Sequence, residues 1–232
     1  MGNITSFEQE ENLALTQYMS KVYALMCCAL LISAGSAWVV ANSETLLRLF
    51  FSSKILFYGL CIVEVGLVWA ISGLIDKMSY ATQNVLFIVY SIINGITLAS
   101  IFLLYTFSSV ASTFVICALT FGACSLVGFY VKKDLSTFGR ILYFVLIGLV
   151  IATVINLIFN ISGFQMILNY IGVLLFVGLT VYDTWKLKNA GFHMIEDEEV
   201  RKKVALIGAL NLYLDFVNLF LYLLRILGSR RD

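Results

Sequence analysis

Five polar side chains follow one another at helical spacing inside the last apolar stretch of the chain. They are Asn211, Asp215, Asn218, Tyr222 and Arg225, separated by four, three, four and three residues. A helix places residues at these steps on one face. Because a carboxylate and a guanidinium are costly in hydrocarbon, this face must contact water or protein partners. We therefore expect it to carry function.

A second carboxylate, Asp183, lies near the inner end of the preceding apolar stretch. Two carboxyls brought together cannot both ionise cheaply, so a pair formed by Asp183 and Asp215 would share one proton. Such a pair would sense pH. The alternative is an ordinary interfacial residue, since Asp183 is expected nearer the cytosol than Asp215.

Glu64 lies near the middle of the second apolar stretch and would be very costly there as an isolated ion. It needs a cation, and Arg225 is the only arginine inside a predicted membrane helix. Both residues are expected in the outer half of the bilayer. We predict an ion pair between them, acting either as a gate or as a static contact that fixes helix register.

The elements that position these side chains follow from composition. Hydrophobic residues make up 61% of the chain and charged residues 12%, and the mean hydropathy is +0.95. These values predict an integral membrane protein of the all-α class, because residues 78–131 are uncharged without the alternation of barrel strands. Seven apolar runs are long enough to cross a bilayer. They fall at roughly 22–42, 55–75, 81–106, 110–131, 141–160, 165–185 and 204–228.

The distribution of Lys and Arg predicts the orientation of the bundle. Most cations, including Lys132, Lys133 and Arg201, fall on the side of the N-terminus. The positive-inside rule then places the N-terminus in the cytosol. We expect residues 1–21 to form a short cytosolic segment and residues 22–232 a single seven-helix domain.

Several function classes are disfavoured. A net charge of +1 argues against a nucleic-acid partner. An enzyme is not expected, because the only histidine, His193, lies in a polar loop with no fixed serine or cysteine opposite it. An anion pore would need a ring of cations. No cofactor is expected.

The segments GLTVYDTWKLK around Asp183, LNLYLDFVNLFLYLLRILG around Asp215 and VEVGLVWAIS around Glu64 resemble the Bax inhibitor-1 (transmembrane Bax inhibitor motif) family. The KVYALM segment and the KKDLSTFGR loop extend the resemblance over nearly the whole chain. The two aspartate segments are its specific part.

The resemblance implies seven helices, with the C-terminal helix central to two three-helix layers, and a pH-sensitive calcium leak. It implies that Asp183 and Asp215 form the sensor near the cytosolic side and that Glu64 and Arg225 pair on the other side. It also links the chain to cell-death suppression and to membrane proteases. A bacterial plasma membrane is favoured, with an endoplasmic reticulum or Golgi membrane as the alternative.

One position departs from the family pattern. Ile75 stands where bacterial members can carry an arginine that contacts the helix-six aspartate. Lys77 is the nearest cation, and we predict it as the replacement latch for Asp183.

The resulting prediction is a calcium leak in which Asn211 and Asn218 line the path beside the two aspartates. These residues supply only part of the six to eight oxygen ligands that calcium prefers, so binding is expected to be weak and water-assisted. The shared proton would close the path at low pH, although protonation could also open it. A proton-coupled cation exchanger, and a regulatory protein that binds a protease or a cell-death partner in the bilayer, are the alternatives.

Overall fold

The computed structural model describes residues 2–159, 161, 163–192 and 197–231, and they confirm the all-α class. No strand occurs among them, apart from an isolated β-bridge between Tyr105 and Arg230. The α-helices of these ranges are α1 Gly2–Ala41, α2 Glu44–Phe51, α3 Lys54–Gly73, α4 Tyr80–Leu98, α5 Ile101–Leu104, α6 Phe107–Tyr130, α7 Ser136–Phe159, α8 Phe164–Phe192 and α9 Glu198–Leu227. One turn of 3₁₀ helix, Ile75–Lys77, precedes α4.

Seven spans in the described ranges are long and apolar enough to cross a membrane, as predicted. The last span, in α9, is the most enclosed: 67% of the residues in its apolar window are buried, against 39% or less in each other span. The central position of this helix and the two-layer arrangement around it stay predictions.

Two boundaries differ from the apolar runs. Helix α1 begins at Gly2, and its apolar span begins at Asn12, ten residues before the run that hydropathy marked. Residues ahead of position 22 are therefore largely helical, and their cytosolic location stays a prediction. A short amphipathic helix, α2, fills the connection between the first two spans.

The third apolar run is not one continuous helix. It divides into α4 and α5 around Ala99 and Ser100. The hydroxyls of Thr97 and Ser100 each bond a backbone carbonyl three residues earlier, at 2.9 and 2.7 Å. Such local bonds compete with the helical ladder. The backbone amides of Ser100 and Phe102 also bond three residues back, which tightens the chain there.

Several helices begin with a polar residue whose side chain caps the first turn. The chain contains no proline that could mark these starts. Ser79 accepts a hydrogen bond from the Thr82 amide at 3.2 Å at the start of α4. Asp134 accepts one from the Ser136 amide at 2.8 Å at the start of α7, and Asp197 accepts one from the Glu199 amide at 2.8 Å at the start of α9. Each satisfies an amide that the first turn of a helix leaves without a partner.

The chain forms two compact units. The first contains residues 1–104, 190–213 and 231, and the second contains residues 105–189, 214–230 and 232. In the first unit α4 contacts α1 at Gly95, where a Cβ would collide with the Ser33 carbonyl. In the second unit α6 contacts α8 at Gly128, where a Cβ would collide with the Val181 carbonyl. Glycine permits both close approaches.

Candidate functional site: a buried carboxyl pair

Asp183 and Asp215 are neighbours inside the second unit. Asp183 lies on α8 and Asp215 on the second half of α9, and each is only 5% exposed. Their carboxyls are close enough to interact electrostatically. Asp183 Oδ1 and Asp215 Oδ2 have no hydrogen-bond partner among the described residues. The structure therefore brings together the two carboxylates that the sequence singled out.

Two further polar groups interact with one member of the pair, Asp183. The Tyr143 hydroxyl, on α7, and the exposed Lys186 both lie within interaction range of the Asp183 carboxylate. Both groups favour a negative charge on Asp183. Asp215 is influenced by Asp183 and by its own burial. The pair is thus chemically asymmetric.

Small residues hold α8 close to its neighbours in this unit. The Gly139 position on α7 lies against the Tyr182 ring, with the Tyr182 Cδ2 atom 2.7 Å from where a Cβ would stand. Gly172 on α8 packs against the Tyr222 ring of α9, whose Cδ1 atom would be 2.6 Å from a Cβ. These contacts bring α8, which carries Asp183, close to α7 and to α9, which carries Asp215.

The other polar residues on the same face of α9 as Asp215 differ in their contacts. Asn218 donates from Nδ2 to the Leu214 carbonyl at 2.8 Å, so its amide nitrogen is used within its own helix. Tyr222 stacks on Phe176 at 5.8 Å between ring centroids, and the exposed Arg225 lies over the Tyr222 ring at 5.2 Å. Asn211 is half-buried in the first unit. The role of Asn211 and Asn218 in lining a path stays a prediction.

Glu64 is held by neutral hydrogen-bond donors of the first unit. The Thr97 hydroxyl donates to Oε1 at 2.8 Å, and Asn94 Nδ2 donates to Oε2 at 3.3 Å. Asn94 Oδ1 in turn accepts from the Tyr213 hydroxyl at 2.8 Å, and that hydroxyl lies 2.7 Å from Ser33 Oγ. A polar chain therefore connects α3, α4, α9 and α1 within this unit.

Two predicted ionic contacts join residues of different units. Glu64 belongs to the first unit and Arg225 to the second, and Lys77 and Asp183 are divided in the same way. Lys77 ends the 3₁₀ turn and is exposed, and Ile75 begins that turn. The Glu64–Arg225 pair and the Lys77 latch stay predictions.

Sequence reasoning missed the partners of the two acidic sites. Tyr143 lies in an apolar run where a tyrosine is unremarkable, so no sequence signal marked it. Asn94 and Thr97 carried a usable signal, since they are polar residues three apart in a membrane-length run. That spacing places both on the face of α4 that meets Glu64.

Metal-binding capacity is limited to what the pair offers. Among the described residues no group of three or more His, Cys, Asp or Glu could hold a metal ion. His193, on which the argument against an enzyme turned, lies outside the described residues. Calcium at this site would have to complete its ligand shell with water and amide oxygens.

The polar chain of the first unit predicts a stability effect. Tyr213→Phe removes a hydroxyl from a fully buried ring and leaves Asn94 Oδ1 without that donor. We expect a loss of about 1–3 kcal/mol of unfolding free energy. Denaturant unfolding in detergent measures it. Tyr58→Phe, at a ring that is 53% exposed, is the matched control and should leave stability unchanged; equal losses in both variants would contradict a role for the chain.

A helical membrane protein with a buried carboxyl pair is the class that these features define. The chain matches the family model described as "Inhibitor of apoptosis-promoting Bax1" over residues 15–232. It therefore belongs to the Bax inhibitor-1 family, as the aspartate segments indicated.

Relatives extend over nearly the whole chain. The inner membrane protein YbhL of Escherichia coli strain K12 is 46% identical over 94% of this chain and 93% of its own length. An uncharacterized protein of Borreliella burgdorferi is 40% identical over 97% of both chains. An uncharacterized protein of Deinococcus radiodurans is 35% identical over 100% of this chain and 98% of its own.

Proposed function

We propose that this integral membrane protein is a pH-sensitive calcium leak gated by Asp183 and Asp215. One observation carries the proposal: two carboxyls from different helices lie buried within electrostatic reach of each other, each with an oxygen that lacks a hydrogen-bond partner among the described residues. A pair of this kind has low free energy when it holds one proton and high free energy when it holds none.

The proton is the switch in this mechanism. With one proton shared, the pair carries a single charge, and α8 and α9 stay together. When the proton leaves, the two like charges repel; as a scale, two unit charges about 4 Å apart at an effective dielectric constant of 20 repel by about 4 kcal/mol. A free-energy difference of that size shifts a two-state equilibrium of helix positions by about a thousandfold. We expect the path to be closed at low pH and open at high pH.

Tyr143 and Lys186 determine which of the two carboxyls holds the shared proton. Because both favour charge on Asp183, the shared proton is expected to reside on Asp215. Loss of that proton places the second negative charge on α9, on the polar face that also carries Asn218. A calcium ion then meets two carboxylates and amide oxygens, which bind it weakly enough for it to leave again.

The membrane and its orientation form part of the proposal. A relative, YbhL, is named as an inner membrane protein, which supports a bacterial inner membrane for this chain. The distribution of Lys and Arg supports a cytosolic N-terminus. The proposed sensor would then respond to cytosolic pH.

Calcium entry into proteoliposomes that hold the purified chain tests the proposal. At equal pH on both sides, the rate should rise from about pH 6 to about pH 8, without saturation over physiological calcium. Protein-free liposomes give the baseline. Absence of flux above that baseline at every pH would overturn the leak.

Two other functions are separated by further arms of the same experiment. A proton-coupled exchanger would show saturable flux that increases with an imposed proton gradient. The family description names an inhibitor of a cell-death protein, which favours a regulatory binding role as a second candidate. That role predicts a chain without flux whose partner binding survives replacement of both aspartates with asparagine.

A further inference from the structure

A cationic cleft opens in the first unit, beside α1 and the beginning of α9. Its volume is about 180 Å³. Since one water occupies ~30 Å³ of liquid, the space suits a small polar group and a few waters. The lining residues that matter here are Gln17, Tyr18, Lys21, Glu198, Arg201 and Lys202.

The side chains that line this cleft carry more positive than negative charge. Lys202 is paired with Glu198, at 2.5 Å between Nζ and Oε1. Lys21 and Arg201 form no ion pair among the described residues. Lys21 lies over the Tyr80 ring at 5.4 Å, within electrostatic reach of the cations Arg201 and Lys202 and of the single carboxylate Glu198. Like charges gathered at one cleft repel, so an anion would lower the free energy of the group.

Tyr18 supplies a second, independent indication of a ligand. Its side chain is 92% buried, yet its hydroxyl has no hydrogen-bond partner among the described residues. A buried hydroxyl without a partner is costly unless something else bonds to it. Gly191 packs on the ring, since a Cβ there would stand 2.9 Å from the Tyr18 Cδ1 atom. The ring is thereby held in place, and Tyr18 is one of the residues that line the cleft.

The amides at the beginning of α9 are not the anion site. Asp197 Oδ1 already accepts from the Glu199 and Val200 amides, at 2.8 and 3.3 Å. An anion in the cleft would therefore be bound by side chains.

We expect the cleft to lie near a membrane surface. Lys21 directly precedes the apolar run at 22–42 in α1, and Arg201 lies three residues before the run at 204–228 in α9. The first and seventh spans run in the same direction across the bilayer, so their beginnings reach the same face. Lipid headgroups lie at that level, and cationic side chains there attract anionic ones.

We propose that this cleft binds a phosphate group through the Tyr18 hydroxyl, the Lys21 ammonium and the Arg201 guanidinium. A phosphate offers acceptor oxygens to all three donors, and arginine matches its geometry with paired N–H groups. The phosphate belongs either to an anionic lipid headgroup or to a free anion. This site is separate from the aspartate pair and does not depend on the leak.

Binding to the purified full chain in neutral detergent distinguishes the two sources. One arm titrates inorganic phosphate against chloride at equal ionic strength. The other adds micelles of short-chain phosphatidylglycerol against short-chain phosphatidylcholine. The readout is the midpoint of thermal unfolding, which a ligand raises when it binds only the folded state. A saturable rise with phosphate assigns a free anion, and a rise with phosphatidylglycerol alone assigns a headgroup.

Substitutions test whether the phosphate group binds in this cleft. Tyr18→Phe removes only a hydroxyl without a described partner, so the chain should fold as stably as the parent. We expect it to weaken binding roughly tenfold, as loss of one hydrogen bond to a charged group does. Arg201→Gln should weaken binding at least as much. Arg140→Gln, which removes an exposed cation of the second unit, is the control and should bind as the parent does.

Three results would overturn the site. One is no rise with either probe. The others are parent-like affinity in Tyr18→Phe and equal weakening in Arg140→Gln, because both indicate diffuse attraction to surface charge.

Discussion

Asp215→Asn and Asp183→Asn are each expected to flatten the pH dependence of calcium flux. From about pH 6 to pH 8 the parent rate should change several-fold, and the rate of each variant should stay within roughly twofold. Asparagine preserves the shape and polarity of the side chain but cannot ionise. With one carboxyl removed, ionisation of the other creates no repulsion, so the force that opens the path is lost. Either replacement should therefore suffice.

Asp134→Asn is the matched control for loss of one carboxylate. Asp134 lies outside the membrane spans, and hydrogen bonds from the Ser136 amide and hydroxyl lower its pKa. It stays ionised throughout the experiment, and asparagine can still accept the cap bond. The control should keep the pH dependence of the parent. A parent-like profile in Asp215→Asn, or a flat one in Asp134→Asn, would contradict the assignment.

Gly95→Ala is expected to destabilise the first unit by about 1–3 kcal/mol. The added methyl would stand 2.6 Å from the Ser36 Cβ and 2.9 Å from the Ser33 Cα, and it would collide with the Ser33 carbonyl. These atoms belong to the backbone and the short side chains of α1, so they cannot rotate away. Helices α1 and α4 would have to separate, and Ser33 would move from the Tyr213 hydroxyl. Denaturant unfolding in detergent measures the loss.

Gly66→Ala is the control for the helix propensity of alanine. A Cβ at Gly66, on α3, meets no atom within 4 Å. Alanine is favoured over glycine in a helix by up to about 1 kcal/mol, so this variant should be as stable as the parent or more so. If Gly95→Ala is equally stable, the close contact of α1 and α4 does not exist.

Hydropathy was sufficient to predict the spans because the bilayer imposes their length. It was insufficient at Ala99 and Ser100, where the interruption depends on hydroxyls that bond to nearby carbonyls. These residues look like ordinary small membrane residues. The early beginning of α1 was missed because its first turns contain charged and polar residues and carry little apolar signal.

Some residues of the candidate site were likewise predictable from the sequence, and others were not. Asp215 was predictable, because a carboxylate inside a membrane-length run has few structural explanations. Asp183 was ambiguous from its depth, and its burial beside Asp215 emerged only with the packing of α8. Tyr143, and the Tyr213 contact with Asn94, depend on how each helix is rotated about its axis. A single sequence does not specify that rotation between helices far apart in the chain.

The central claim is that Asp183 and Asp215 share a proton that is lost as pH rises. Infrared difference spectra between about pH 8 and pH 6 test it directly, because a protonated carboxyl has its own stretching band. We predict that the parent gains such a band at the lower pH and that Asp183→Asn and Asp215→Asn both lack the change, while Asp134→Asn retains it. A band that persists unchanged in either variant, or is missing from the parent, would contradict the shared proton.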